Sequence, residues 1–394
     1  MPDATIPVEL VDKAVVRISP HQAAAAMATA LPPVGHLRSA AEYNIQAGNE
    51  DAIIRDVSSR LVVDQYYISF SETEHDLIRM SISTPFQRPS IASLGTLNRL
   101  PYELLSYIVL SLDMQSVFTW RQVNTGLRQT IDSFSEYQDI TTHALDALCA
   151  LLRTRVLAPK VSLSDFHREL CSNTCFSCGE FGEVIFLPTF RRYCSVCITA
   201  APEVQMGSLN AIQRRLCLGP EVVRQLSLFK TIRQLNSVTE NSCLVRDTLV
   251  SIPQAVQVST LPQADKYGTE MDISNKCYET SRRASCILPY YNKRAGKAEY
   301  GMSCSGCKHG HHMGHHTGRN GRRGVFSMLD EGVYDRIYGD ERFIQHFKWC
   351  WQAQLMWELC ERFNPVVAGT ESAMKIRKEA RPFWSDEGAE TLLG

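Results

Sequence analysis

A chain of 394 residues with 44% apolar side chains is long enough for two or three domains with folded cores. Its 41 Lys and Arg offset 42 Asp and Glu to a formal net charge of −1, which argues against a protein held mainly by nucleic-acid phosphates or an anionic membrane. No run of about 18 apolar residues occurs, so no transmembrane helix is expected. The opening segment, with Asp3, Glu9 and Asp12 and no hydrophobic stretch, does not read as a secretory signal. In such a chain 14 cysteines point to free thiols and metal ligands, and the expected compartment is the cytoplasm, the nucleus or both.

Residues 1–90 combine an alanine run (Ala23–Ala26), scattered prolines and the polar Ser71-Glu72-Thr73-Glu74, and are expected to form a loosely ordered arm. Leu61–Phe70 alone has strand composition. Leu97–Tyr137 is the best-patterned stretch. Pro101 fits a helix start, where its missing N–H has no intrahelical partner. Glu103 favours the first turn electrostatically. Leu104, Ile108 and Leu112, with Leu105 and Val109 beside them, make a broad apolar face. Asp113 is placed to cap a second helix over Met114–Val123, and Leu127, Ile131 and Phe134 mark a third. Three such short helices bury little by themselves.

Leu100, Pro101, Glu103, Leu104, Leu105, Ile108, Leu112, Asp113, Ser116, Val117, Arg121, Val123, Asn124 and Arg128 together give this stretch a pattern that resembles an F-box. The resemblance covers about a tenth of the chain. It implies docking onto the Skp-type adaptor of a cullin–RING ubiquitin ligase, with Leu100, Pro101, Glu103, Leu104, Leu105, Ile108, Leu112, Val117, Arg121 and Val123 as the adaptor-binding residues. The alternative is an ordinary helical hairpin in a larger α domain.

Ile140–Val156 reads as one helix with Leu145, Leu148 and Leu152 on one face, capped by Thr141 or Thr142. The metal signal follows. Cys175-x2-Cys178 and Cys194-x2-Cys197 are separated by 15 residues. Each pair can form a tight knuckle aiming two thiolates at one ion, and Gly179 supplies the positive φ such a knuckle needs. Apolar Val184–Tyr193 between the pairs suits a hairpin that brings them together. Four thiolates close a tetrahedral zinc site with no open position, so the centre should be structural. Buried free cysteines are the alternative, and Cys171 could replace Cys175. Too few cysteines for a RING and a tail without basic residues, Ile198–Leu209, speak against ligase chemistry or DNA readout by this module.

Asn210–Asn241 is expected to hold one or two helices, with Pro220 as a start and Val223, Leu226 and Phe229 facing inward. Leu249–Thr260 has strand character, and Ala284–Tyr291 is a further short apolar piece. Residues 301–324 carry Cys304-x2-Cys307, five histidines in eight residues and seven glycines, and read as a solvated loop. Asp340–Asn364 reads as a helix with a polar stripe opposite Phe343, His346, Phe347 and Cys350. A second metal site needs two partners for Cys304 and Cys307. His346 and Cys350, at i and i+4, are one set; the loop histidines His309–His316 are another; free thiols and core residues are the third possibility.

The expected fold is mainly α: a loose arm (1–90), a three-helix F-box and following helix (91–157), a zinc-stapled β-hairpin module (165–200), an α-rich C-terminal domain (201–364) and a mobile tail (365–394). The layout from Leu97 to Asn364 is similar to a set of fungal F-box proteins, with the poly-histidine insertion and Cys171 as departures. That implies a non-catalytic substrate receptor, zinc as cofactor, a Skp-type adaptor and through it a cullin as partners, and an unidentified target protein. A zinc-dependent scaffold or nuclear regulator outside a ligase is the alternative. No phosphate loop, nucleophile elbow or His-Glu-x-x-His is present.

Overall fold

In the computed structural model, the described residues are 39, 41–60, 67–70, 79–84, 94–154, 156–232, 247–259, 280–308 and 336–363. Most of the expected arm, the histidine tract 309–316 and the tail 365–394 lie outside them. Helices carry most of the regular structure among the described residues, with one short strand at Ser58–Arg60 and the others from residue 184 onward. None of these helices is long and apolar enough to cross a membrane.

The chain divides into two units, each assembled from separate segments. The larger comprises Arg60–Ser303 and Met328–Ile344, and the smaller Met1–Ser59, Cys304–Ser327 and Gln345–Gly394. The principal elements in chain order are α1 (Glu50–Val57), α2 (Tyr102–Ser111), α3 (Met114–Val123), α4 (Thr125–Asp132), α5 (Ser135–His143), α6 (Leu145–Arg153), α7 (Leu163–Leu170), β1 (Val184–Phe186), β2 (Arg191–Tyr193), β3 (Met206–Ser208), α8 (Leu209–Leu216), β4 (Leu228–Lys230), β5 (Thr248–Ser251), α9 (Ile252–Val258), β6 (Ser285–Ile287), β7 (Tyr290–Asn292), β8 (Lys297–Glu299), β9 (Met302–Cys304), β10 (Ile337–Tyr338), α10 (Asp340–Phe347) and α11 (Trp351–Phe363).

In the larger unit, helices α2–α7 and the sheet β2-β1-β6 share one core, which includes Val109, Met114, Ile131, Leu148, Phe166, Val184 and Phe186. Asp113 caps α3 by accepting the Ser116 N–H at 2.9 Å, and Asn124 caps α4 by accepting the Leu127 N–H at 2.8 Å. The helix expected over 140–156 is instead two. Ala144, at φ −130° and ψ 30°, breaks α5 from α6, and Thr141 lies buried in α5 rather than capping. Of the strand-like Leu61–Phe70, only residues 67–70 are described; there the Ile68 N–H bonds Ser285 O at 2.8 Å.

Residues 206–258 depart further from an α-rich expectation. Their antiparallel sheet β3-β5-β4 packs under α8 and α9 around Ile212, Leu216, Val250, Ile252 and Val256. Phe229 is inward-facing as expected, but from strand β4. The stretch at 249–260 is half strand and half helix, because Ser251 caps α9 and Pro253 sits harmlessly in its first turn. Asp340–Asn364 likewise splits into α10 and α11 on either side of Cys350.

One side chain ties the larger unit together. Arg192 on β2 is 1% exposed, and its guanidinium makes five hydrogen bonds to main-chain carbonyls. Nε and Nη2 donate to Glu169 O at 3.1 and 2.7 Å, Nη1 to Gly182 O and Leu288 O at 2.6 Å each, and Nη2 also to Pro289 O at 3.0 Å. Gly182 has to be glycine here, since a Cβ would stand 2.7 Å from Arg192 Cγ. Arg192→Met should take from Gly182 O, Leu288 O and Pro289 O the donor Arg192 supplies, while Glu169 O keeps the Ser172 N–H at 3.3 Å. At about 1–3 kcal/mol each, the loss should total about 3 kcal/mol or more, measured as a lowered denaturation midpoint. Arg192→Lys should recover little of it, because an ammonium cannot reach all four oxygens.

Candidate functional site

The first group of ligands is built by the hairpin β1–β2. Its strands pair Val184 with Tyr193 and Phe186 with Arg191, which returns the chain from the first knuckle to the second. In the first knuckle Gly179 adopts φ 74° and its N–H bonds Cys175 O at 2.9 Å. In the second, the Cys197 N–H points at Cys194 Sγ at 3.4 Å. The Sγ atoms of Cys175, Cys178, Cys194 and Cys197 all lie within 4.8 Å of one another, Cys178 and Cys194 at 3.7 Å. Corners of a tetrahedron with thiolates about 2.3 Å from its centre are about 3.8 Å apart, so the group fits one metal ion. Without an ion the thiols compete for charge. The hydrogen bond from Cys194 pulls Cys175 down to about 4, while the same bond and burial push Cys194 far up. A shared cation resolves that competition. Beneath the knuckle, the buried Glu183 carboxylate accepts the Ser195 N–H at 2.6 Å, and burial pushes its pKa up to about 7.

The second group lies in the smaller unit. Cys304 and Cys307 form a knuckle, and His346 and Cys350 come from the end of α10 and the residue joining it to α11. Cys307 Sγ is 3.3 Å from His346 Nε2 and 3.6 Å from Cys350 Sγ, and Cys304 Sγ is 3.9 Å from Cys350 Sγ. Gly306 allows the knuckle to lie on the start of α11, where a Cβ would meet Ala353 N at 2.5 Å. The surrounding helix ends are braced by Tyr43 edge-on to Phe347 at 5.3 Å and by Glu42 with Lys348 at 3.0 Å. Of the alternatives left open by the sequence, the structure thus brings His346 and Cys350 to Cys304 and Cys307; His309–His316 lie outside the described residues.

Cys171 belongs to neither group. Its Sγ stands 3.6 Å from His167 Nε2, the nitrogen that also meets Asp139 Oδ2 at 2.9 Å. It therefore does not replace Cys175. Nor can one nitrogen that donates to Asp139 also take a proton from Cys171, so the trio is no nucleophilic triad.

The residues of the F-box-like stretch fall on two sides. Leu105, Val117 and Arg121, among the expected adaptor contacts, are buried in the chain's own core. Arg121 is structural: it donates to Asp132 Oδ1 and to Ser81 O, both at 2.6 Å. Leu100, Ile108 and Leu112 are half-buried, and Pro101, Glu103, Leu104 and Val123 are exposed. Tyr102 and Tyr107, missed as surface residues, are 59% and 73% exposed on α2 beside Leu104 at 50%. The available signal was spacing: Leu104 and Tyr107 stand at i, i+3, on the side away from the buried pair Leu105 and Val109.

No protein-family profile, no curated protein and no solved structure matches this chain.

Each ligand set should hold one ion independently. Cys194→Ser should lower metal content by one equivalent and expose residues 165–200 to protease, since metal binding at such sites supplies about 10 kcal/mol of folding energy. His346→Ala should remove the other equivalent, and deletion of residues 309–316 none. Metal per chain by atomic emission checks all three.

Proposed function

We propose that the chain is a non-catalytic substrate receptor of a cullin–RING ubiquitin ligase, docking on a Skp-type adaptor through residues 100–123 and holding a target protein through the region from 165 to 364. The observation that carries this reading is the exposed apolar face of α2. Leu104 and Tyr107 stand in solvent on a ten-residue helix whose other face, Leu105 and Val109, is already committed to the core, while Tyr102, also exposed, lies on the core-facing side and stacks on Phe134 at 5.6 Å. Exposed aromatic and leucine side chains grouped on one rigid element suit a protein interface better than a free surface. Val123, 63% exposed at the end of α3, adds to the apolar surface of the same stretch.

Both metal groups are assigned to zinc. Four thiolates, or three thiolates and an imidazole, in a closed tetrahedral set suit this ion, and neither set leaves a position for a reacting water. The centres support the fold; transfer of ubiquitin would belong to the partners.

Leu104→Asp with Tyr107→Asp tests the adaptor face. Both side chains are exposed, so the denaturation midpoint should shift by no more than about 0.5 kcal/mol, whereas adaptor and cullin should no longer co-purify. Adaptor retained at wild-type stoichiometry would overturn the F-box assignment. Adaptor without cullin would favour a scaffold outside a ligase.

A further inference from the structure

The two metal groups differ in how far their sulfurs can be reached. Cys304, Cys307 and Cys350 are all buried, at 1%, 3% and 0% exposed. In the other group Cys175 and Cys194 are buried, Cys197 is half-buried and Cys178 is exposed. The protein around Cys178 is open too. Phe176 and Val196 at the knuckle tips are 62% and 37% exposed, and a Cβ built on the adjoining Gly179 would meet nothing within 4 Å.

We propose that Cys178 is a site of oxidation by hydroperoxides, with Cys194 as its resolving partner, so that the Cys175/Cys178/Cys194/Cys197 centre opens under oxidant while the Cys304/Cys307/His346/Cys350 centre does not. This rests on the metal assignment above. The chemistry needs only hydrogen peroxide. The Cys178 thiolate attacks one peroxide oxygen; an S–O bond forms, the O–O bond breaks and hydroxide leaves, giving the sulfenic acid. The Cys194 thiolate, whose sulfur is 3.7 Å away, then attacks the Cys178 sulfur; an S–S bond forms and a second hydroxide leaves. Two thiolates lose two electrons, and one peroxide becomes two hydroxides. Two of four ligands are then spent, and the hairpin β1–β2, which carries Arg192, loses its metal clamp. A thiol reductant and zinc restore the original state.

The test uses the full chain loaded with two zinc ions and rising equivalents of hydrogen peroxide. Zinc release is followed with a chelating dye, and cysteines are mapped by differential alkylation and mass spectrometry. Zinc should fall from two to one per chain as a Cys178–Cys194 disulfide appears, and Cys178 should oxidise at least about tenfold faster than Cys304. Cys217, exposed and in neither group, serves as the control for an unliganded thiol. Cys178→His keeps a ligating nitrogen but removes the oxidisable sulfur, and should hold both zinc ions over the same range. The mapping on the unaltered chain stands alone if that variant fails to fold. Parallel loss of both ions, a first disulfide among Cys304, Cys307 and Cys350, or an oxidised pair lacking Cys178 would overturn the proposal. Fewer than two zinc ions at the start would instead overturn the metal assignment.

Discussion

The larger unit depends on one buried cation. Arg192 brings a positive charge into a place that is 1% exposed, where the Glu169 and Glu183 carboxylates favour it from a distance but none accepts its hydrogen bonds. Its hydrogen bonds are all to the main chain: four carbonyls from three segments, at 169, 182 and 288–289. One of them, Glu169 O, lies in the last turn of α7, where the helix dipole itself favours a cation. The geometry is demanding because a planar guanidinium offers its donors in fixed directions. Wherever Arg192 sits, the end of α7, the approach to β1 and the exit from β6 must converge. The first metal centre follows from that convergence, since Cys175–Cys178 precedes Gly182 and Cys194–Cys197 follows Arg192.

The two candidate metal centres solve one problem with different supports. Each takes a two-residue knuckle for half of its ligands. The first returns its other half through a three-residue-per-strand hairpin. The second takes it from a helix end, where His346 and Cys350 project from neighbouring turns. The difference carries into their surroundings. A hairpin knuckle has a tip that faces solvent, whereas a knuckle laid against α11, with Gly306 at contact distance from Ala353, is covered. Neither set offers an open coordination position, which agrees with a supporting role in a protein whose proposed work is to hold other proteins.

A short helix cannot bury every apolar residue it carries, and α2 shows the consequence. Leu105 and Val109 go inward. Leu104 and Tyr107 are left outside, on a helix held by that buried pair and, at its end, by the Leu163 N–H bonded to Leu112 O at 2.9 Å. The rigid placement matters as much as the exposure, because a partner then meets an apolar face already ordered.

The sequence by itself determined what rests on short spacing. The Cys-x2-Cys pairs, Gly179, the hairpin between them and the Asp113 cap are local devices whose geometry is complete within a few residues. The His346-x3-Cys350 pair was legible as a set facing one way, but its union with Cys304 and Cys307 spans about forty residues, and only the folded chain brings the four together. The same holds for Arg192, which looks like any strand arginine until the carbonyls of 288–289 arrive. Tertiary contact also decided the helix break at Ala144 and the strand-to-helix switch at Ser251, where local propensity supports either outcome. It separated the F-box-like residues into core and surface as well: an apolar side chain reads identically in sequence whether its neighbour is the chain's own core or another protein, and burial alone distinguishes them.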